Sequence, residues 1–315
     1  TVSVLYWSDR SSRQTDPATP TSGDPSVRLK MPYYIPSPGV RDPTATLQVF
    51  EEAYHSNNAA AGFWGPVEAS IDWCERNYAV SYYVAEWWNT VSNLCLILLS
   101  VLALRAALRD RHEPRIVLMV VACLTVGVGS AVFHGTLSHV GQQGDELPMV
   151  WAISSWTFVL YAMDPAFERR HPFRVERVKW FLAFYCVVFS AMHWQLRLVV
   201  AFQTAFGVKT AIAGVMLLKH LSQCEDRRAR MLGWIYAFGM FAGFTAWLID
   251  VHYCESLHEL PFGIPNPQLH AWWHVLTGIA CYSGPAFLAY RRASLLGRRP
   301  EVVWWCGIPT VRTHS

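Results

Sequence analysis

Seven apolar stretches, each close to the length of a membrane-crossing helix, recur along most of the chain. They lie at about 84–108, 115–137, 146–163, 177–193, 195–219, 229–250 and 270–290. Because a helix needs roughly 20 apolar residues to cross a bilayer, the pattern predicts an all-α, polytopic membrane protein, a seven-transmembrane helix bundle. Only His193–Arg197 separates the fourth stretch from the fifth, so six spans with one long kinked helix is the alternative.

The basic residues predict the orientation of the bundle. Lys and Arg concentrate after the first, third, fifth and last stretches, whereas 138–145 and 251–269 contain none. Short loops rich in basic residues stay in the cytosol, so we expect a lumenal N-terminus and a cytosolic C-terminus. With 16% charged residues and a net charge of +3, the basic residues are accounted for by orientation, and no nucleic-acid partner is expected.

The first 60 residues differ from the rest in composition. Pro, Ser, Thr and Asp dominate TDPATPTSGDPS (15–26) and YYIPSPGVRDPT (33–44), a composition that cannot bury enough apolar surface to fold. We predict a disordered leader over 1–60, a transmembrane domain over 61–295 and a cytosolic tail over 296–315. Translation starting at Met31 is an alternative.

Two histidines open the last apolar stretch, in HAWWH. His270 and His274 are four residues apart, so on a helix they share one face at a spacing of about 6 Å, which suits two ligands of a tetrahedral zinc ion. On its own the pentapeptide is more typical of an interfacial aromatic belt, with Trp272 and Trp273 beside the histidines.

Further polar residues are predicted at the same depth. His134 closes the second stretch, Ser130 lies one turn deeper, and Asp145 heads the third stretch. Three histidines would hold zinc and leave a fourth position for water. Asp145 would then act as general base and acid, and Ser130 would stabilise an oxyanion. The structural alternatives are that Asp145 caps a helix and that Ser130 bonds to its own helix.

An oxygen-rich segment precedes the first stretch, over 71–86. Its carboxylates, its amide and one backbone carbonyl offer only hard oxygen ligands, which favour calcium over zinc. The alternative is an acidic interfacial turn in which Asp72 caps the helix. The residues are Asp72, Trp73 (carbonyl), Glu75, Asn77 and Glu86.

The eight cysteines include no C-x-x-C pair, which argues against a structural zinc module. Cys74 and Cys254 fall on the predicted lumenal side, where oxidising conditions permit a disulfide. We predict a bridge between them, with two free thiols as the alternative.

Several motifs together resemble the alkaline ceramidases, including the fungal phytoceramidase and dihydroceramidase type. The resemblance covers about 62–300, through GFWGPVEASIDWCERNYAVSYYVAEWWNTVSN, GVGSAVFHGTL, DELPMVW, CESL and HAWWHVLTG. It implies a seven-helix intramembrane hydrolase of the endoplasmic reticulum or Golgi. Such an enzyme cleaves the amide of a ceramide lipid into a sphingoid base and a fatty acid.

The resemblance also implies roles for individual residues. It assigns catalytic zinc to His134, His270 and His274, catalysis to Ser130 and Asp145, a structural or regulatory calcium to Asp72, Trp73, Glu75, Asn77 and Glu86, and a disulfide to Cys74 and Cys254. Asp250 matches a family aspartate and has no assigned role. The long leader and SHVGQQG (138–144), which we expect to be a flexible link, depart from the family pattern.

Two other functions fit parts of the pattern. An adiponectin-receptor-like seven-helix zinc receptor would share the three histidines, but its N-terminus would be cytosolic, against the distribution of basic residues. A transporter with a His/Asp proton relay would not depend on zinc.

Overall fold

A computed structural model describes residues 62–305 and 308–314. The predicted leader over 1–60 and the alternative start at Met31 lie outside the described residues. Within them the chain is mostly helical. The helices are α1 Trp87–Arg109, α2 Pro114–Thr136, α3 His139–Tyr161, α4 Pro165–Arg170, α5 Pro172–Leu196, α6 Val199–Ser222, α7 Arg227–His252, α8 Cys254–His258, a 3-10 turn Pro261–Gly263 and α9 Leu269–Leu295; two strands follow, β1 Arg299–Trp305 and β2 Ile308–His314.

Each of the seven predicted stretches falls in a helix of 23 to 27 residues. Four of them, α1, α2, α6 and α7, are long and apolar enough by length and composition to cross a membrane. The other three carry more polar residues, among them GQQGDE in α3, ERVK in α5 and the two histidines of α9. Large apolar side chains also face outward, such as Phe181 in α5 and Phe241 in α7, as expected for helices surrounded by lipid.

The fourth and fifth stretches form separate helices. Arg197 adopts a left-handed conformation with φ of 49°, where α5 ends, and α6 begins two residues later. Right-handed helices cannot continue through a left-handed residue, so the alternative of one long kinked helix is wrong for this segment.

Two expectations were wrong in detail. The segment 138–144 is not a flexible link: Ser138 caps α3 by accepting a hydrogen bond from the backbone of Gly141, and the helix starts at His139. The expected all-α fold is incomplete, because β1 and β2 form an antiparallel hairpin in the tail of this mostly helical chain. Alternation places Val302 and Val311 opposite each other and buries both against the helices.

Close contact between α2 and α3 depends on Gly129, which faces Gly144 of α3. A Cβ atom added to Gly129 would lie 1.9 Å from the carbonyl oxygen of Gly144, closer than any real contact. The next residue of each helix is Ser130 and Asp145 respectively. The glycine contact therefore brings these two side chains together.

Helices α1, α2, α3, α6, α7 and α9 surround an internal cavity, and α5 packs on the outside of α3. At one end of this bundle, the C-terminus of α2 meets the N-termini of α1 and α3. The loop before α9 ends there too. The hairpin packs at the opposite end, against α9 and α1. All the residues of the predicted site lie toward the first end.

Candidate metal centre and catalytic site

Three buried histidines form a compact cluster at the first end of the bundle. His134 comes from the last turn of α2, and His270 and His274 come from the first turns of α9. Each side chain offers a ligand nitrogen within 4.8 Å of the others, and the three are at most 3% exposed. The structure thus brings together three residues that are far apart in sequence.

The hydrogen bonds around the cluster leave nitrogen atoms available for a metal. Nε2 of His134 and Nδ1 of His270 are buried and make no hydrogen bond with the described residues. Such unpaired buried atoms cost roughly 1–3 kcal/mol each, and neutral imidazole nitrogens are preferred ligands of zinc and related ions. The cluster therefore fits a metal ion.

Neighbouring side chains orient the histidine rings. Nδ1 of His134 donates to the carboxylate of Glu86, which leaves Nε2 as the ring atom with a free lone pair. Nδ1 of His274 lies 2.9 Å from the hydroxyl of Ser92. The indole of Trp73 stacks on His270 with ring centroids 3.7 Å apart.

Ser130 and Asp145 lie beside the cluster. The Ser130 hydroxyl is 3.4 Å from Nε2 of His274 and accepts a hydrogen bond of 3.1 Å from the Asn93 amide. It also interacts with the Asp145 carboxylate, and Asp145 is 9% exposed. The alternative roles are not found among the described residues. Ser138, and not Asp145, caps α3, and Ser130 makes no hydrogen bond to its own helix.

The cavity extends from this polar group into an apolar interior. Ser130, Asp145, His270 and His274 line one end, and aromatic and aliphatic side chains such as Phe206, Tyr236 and Phe244 line the rest. The space between these side chains that is not filled by atoms, including the open space at its mouth, is about 1150 Å³. A long apolar ligand with one polar group fits this shape.

The oxygen-rich segment over 71–86 packs directly against the histidine cluster. Glu75 accepts hydrogen bonds from the backbone of Trp88 and Asn89 at 2.7 and 2.8 Å, so Glu75, and not Asp72, caps α1. The Asp72 carboxylate accepts instead from the Asn77 amide at 3.1 Å. No carbonyl contact of Trp73 is seen; its backbone N–H donates to Asp72 and Glu86.

These carboxylates repel one another and no lysine or arginine side chain pairs with Asp72 or Glu75 in the described part of the chain. Burial, and then the charge of Glu86, raise the pKa of Asp72. Burial raises the pKa of Glu75 to about 7, although its backbone hydrogen bonds lower it. Hard oxygen donors are the ligands that calcium prefers, but in the described residues the carboxylate oxygens of Asp72, Glu75 and Glu86 do not all lie within 4.8 Å of one another.

A disulfide and a buried aspartate attach this segment to the start of α9. Cys74 and Cys254 are bonded to each other. Asp250, which had no assigned role, accepts hydrogen bonds from the backbone of Cys74 at 3.3 Å and of His270 at 3.1 Å. Asp250 therefore fixes the backbone of one histidine relative to the disulfide.

A second buried pair of ionisable side chains was not predicted from the sequence. The Nε2 atom of His193 in α5 bonds the carboxylate of Glu146, and both side chains are buried. Gln142 also donates to Glu146, at 3.1 Å, and Glu146 lines the cavity next to Asp145. The available signal was the position of two ionisable residues within apolar stretches, which marks them as candidates for function.

Comparison with known proteins gives a consistent result. The family model described as Ceramidase matches residues 65–312. The alkaline ceramidase of Arabidopsis thaliana is 34% identical over 79% of this chain and 93% of its own. Alkaline ceramidase 3 of Mus musculus is 32% identical over 78% and 92%, and alkaline ceramidase YPC1 of Saccharomyces cerevisiae is 30% identical over 82% and 91%. The resemblance seen in the motifs is confirmed, and the chain belongs to the ceramidase family of hydrolases.

Proposed function

We propose that this protein is a zinc-dependent intramembrane amidase that hydrolyses a ceramide to a sphingoid base and a free fatty acid. The observation that carries the proposal is the cluster of His134, His270 and His274 at the polar end of a long apolar cavity. A ceramide has a matching shape, because its one amide lies near a polar head and its two alkyl chains are apolar. Membership of the ceramidase family supports the same substrate class.

The three histidines would hold the zinc. When bound, zinc would polarise the amide carbonyl and make a water nucleophilic near neutral pH. Glu86 acts behind the site by keeping the proton of His134 on Nδ1. Asp250 and Trp73 hold His270 in place, the first through the backbone and the second by stacking.

The remaining chemistry falls to Asp145 and Ser130. Asp145 is positioned to take a proton from the attacking water and to return one to the leaving amine, as a general base and acid. The Ser130 hydroxyl donates to the oxygen that becomes negative in the tetrahedral intermediate. The buried, largely apolar surroundings strengthen both interactions, because water is excluded.

The substrate would enter the protein from the lipid phase. We infer that all seven long helices cross the membrane, with the N-terminus lumenal and the C-terminus cytosolic, in the endoplasmic reticulum or Golgi. The domain then runs over 61–295. Support comes from the concentration of basic residues at the hairpin end of the bundle, such as Arg109, Arg115 and Arg292, as the positive-inside rule requires.

Calcium would bind the segment over 71–86, through Asp72, Glu75, Asn77, Glu86 and the carbonyl of Trp73. Coordination to the ion would offset the mutual repulsion of the carboxylates. Because Glu86 also contacts His134 and Trp73 also contacts His270, occupancy would influence the zinc site. We therefore propose a regulatory role for calcium.

The first experiment compares the purified wild type with His270→Ala, measuring zinc per chain and sphingoid base released from a panel of ceramides. We expect about one zinc per chain in the wild type, and loss of both zinc and release in the variant. His252→Ala is the matched control, because His252 is exposed at the same end of the bundle. Bound zinc in the wild type without any release would favour a receptor.

A second experiment tests calcium separately. Calorimetric titration with calcium should show binding to the wild type and weak or no binding to Asp72→Asn. Glu68→Gln removes an exposed carboxylate that lies just before this segment, and it should bind as the wild type does. A calcium chelator that leaves zinc in place should lower turnover; unchanged turnover would refute the regulatory role.

A further inference from the structure

A second, smaller cavity lies at the opposite end of the bundle from the histidines. It forms where the α1–α2 turn, the end of α9 and the β-hairpin meet, and it holds about 290 Å³ of space not filled by atoms. This volume includes the open space at the mouth of the cavity, where an anion can approach the lining. The polar lining comprises Arg111, His112, Glu113, Arg292, Arg298 and Thr313.

The single carboxylate of this lining is already neutralised. Glu113 bonds the guanidinium of Arg292 at 3.1 Å and that of Arg115 at 2.9 Å. Arg292 is itself fully occupied, because it also donates to Glu168 and to the backbone carbonyls at the end of α3. Glu113 and Arg292 therefore stabilise the wall of the cavity, and Glu113 does not neutralise the other arginines of the lining.

Among the residues that the structure describes, the side chains of two arginines of the lining have no partner. Arg111 and Arg298 are exposed, and in the described part of the chain neither side chain forms an ion pair or a hydrogen bond. They come from different elements, since Arg111 lies in the α1–α2 turn and Arg298 precedes β1. Thr313 of β2 adds a hydroxyl between them and the hairpin. Beside the Glu113–Arg292 pair, the lining thus offers a neutral hydroxyl donor and two guanidinium groups that are unpaired within the described part of the chain.

The turn that presents Arg111 is held in an unusual conformation. Arg111 has φ of 50°, a left-handed conformation that is uncommon outside glycine. The backbone N–H of His112 closes the turn on Ala107 at 2.9 Å, and the His112 ring bonds Val311 of the hairpin at 3.0 Å. The hairpin and the turn are therefore joined on one side of the cavity.

We propose that this cavity binds the phosphate group of an anionic lipid headgroup. Guanidinium groups form paired hydrogen bonds with phosphate oxygens. The cavity lies at the ends of long apolar helices and on the basic face of the bundle, where basic pockets meet the headgroups of anionic lipids. A bound phosphate would link the α1–α2 turn to the hairpin and so fix the end of α9 opposite the histidines.

The test measures binding of a fluorescent, short-chain phosphatidylinositol phosphate to the purified full-length protein. Arg111→Gln/Arg298→Gln should weaken binding about 30-fold, from the loss of two arginine contacts. Arg169→Gln/Arg170→Gln is the matched control. It removes two exposed arginines from α4 at the same end, outside the cavity lining, and should change binding less than twofold.

Further measurements distinguish a lipid phosphate from a soluble phosphate ion, and a specific site from diffuse electrostatic attraction. Short-chain phosphatidylcholine and inorganic phosphate should compete at least 10-fold more weakly than the anionic lipid. Equal competition by inorganic phosphate would overturn the lipid assignment in favour of a soluble ion. Equal weakening by both double variants would overturn the site itself. Zinc content and ceramide hydrolysis, measured on the same samples, keep this outcome distinct from that of the proposed activity.

Discussion

Glu86 accepts a hydrogen bond from Nδ1 of His134, and both side chains are fully buried. Glu86 is the residue before α1, and His134 lies in the last turn of α2. The same carboxylate accepts from the backbone of Trp73 and from the Asn89 amide. The oxygen-rich segment and the histidine cluster therefore share one side chain.

Removing the charge of Glu86 should weaken the metal site. In Glu86→Gln the amide oxygen still accepts from His134, but it does not raise the basicity of the ring as a carboxylate does. Loss of such a partner typically lowers metal affinity about 10–100-fold, and we expect a loss in this range, measured by competition with a chromophoric zinc chelator. Glu68→Gln is the control. Unchanged zinc affinity in Glu86→Gln would mean that Glu86 acts in the calcium segment and does not support the zinc site.

Asp145 and Ser130 should affect turnover and leave zinc binding intact. Asp145→Asn removes the proton-transfer group and should lower kcat about 10²–10⁴-fold. Ser130→Ala removes one donor to the developing oxyanion and should lower kcat about 10²–10³-fold. Ser155→Ala, whose hydroxyl bonds only the backbone of Trp151 in its own helix, is the control. A loss of zinc in either variant would assign that residue a structural role.

The Glu146–His193 pair should show strong coupling in stability. Replacing His193 alone with phenylalanine leaves the Glu146 carboxylate buried without its partner, which typically costs about 3–5 kcal/mol. In the double variant Glu146→Gln/His193→Phe, the new ring packs between Phe189 and Phe202 and no charge is stranded. Thermal unfolding in detergent should rank the double variant above His193→Phe; strictly additive losses would contradict the pairing.

The Glu168 network at the hairpin end should make stability depend on pH. Burial by itself raises the pKa of Glu168, but hydrogen bonds from Arg115 and Arg292 outweigh it and hold the pKa below the ordinary value of 4.5. A carboxylate with a lowered pKa stabilises the fold above its unfolded pKa, and this contribution is lost as the pH falls through the folded value.

Glu168→Gln should therefore unfold at a lower temperature than the wild type at pH 7. The difference should persist down to about pH 4.5 and shrink below it, when the wild-type carboxyl group becomes protonated. Glu176→Gln, which removes an exposed carboxylate paired only with Lys179 in α5, should change the unfolding temperature little at any pH. A difference that grows on acidification would refute the role of Glu168.

Much of this architecture follows from local sequence. Long apolar runs predict helices because backbone groups in lipid must bond within their own segment. The spacing of His270 and His274 predicts a shared helical face, and chain topology predicts that His134 lies at the same end. These inferences need only helix periodicity and the direction of each span, so they could be made without coordinates.

Other features depend on contacts between distant segments. The segment 138–144 was expected to be flexible, but its Gly144 lies in α3, where Gly129 of α2 contacts it closely. Glu75 caps a helix that begins 12 residues later, a distance that no capping motif spans. The hairpin of β1 and β2 was missed because its strands pack on α9 and α1, contacts that the local sequence does not reveal, and an isolated hairpin is marginal in water.

The sequence alone determined the family, the apolar stretches and the candidate residues of the site, because residue type and spacing carry that information. Only the tertiary structure decided which partners orient that chemistry. Glu86 at His134, Asp250 at His270 and His193 at Glu146 are pairs separated by 20 to 48 residues. Their geometry arises from the packing of whole helices, and no local pattern specifies it.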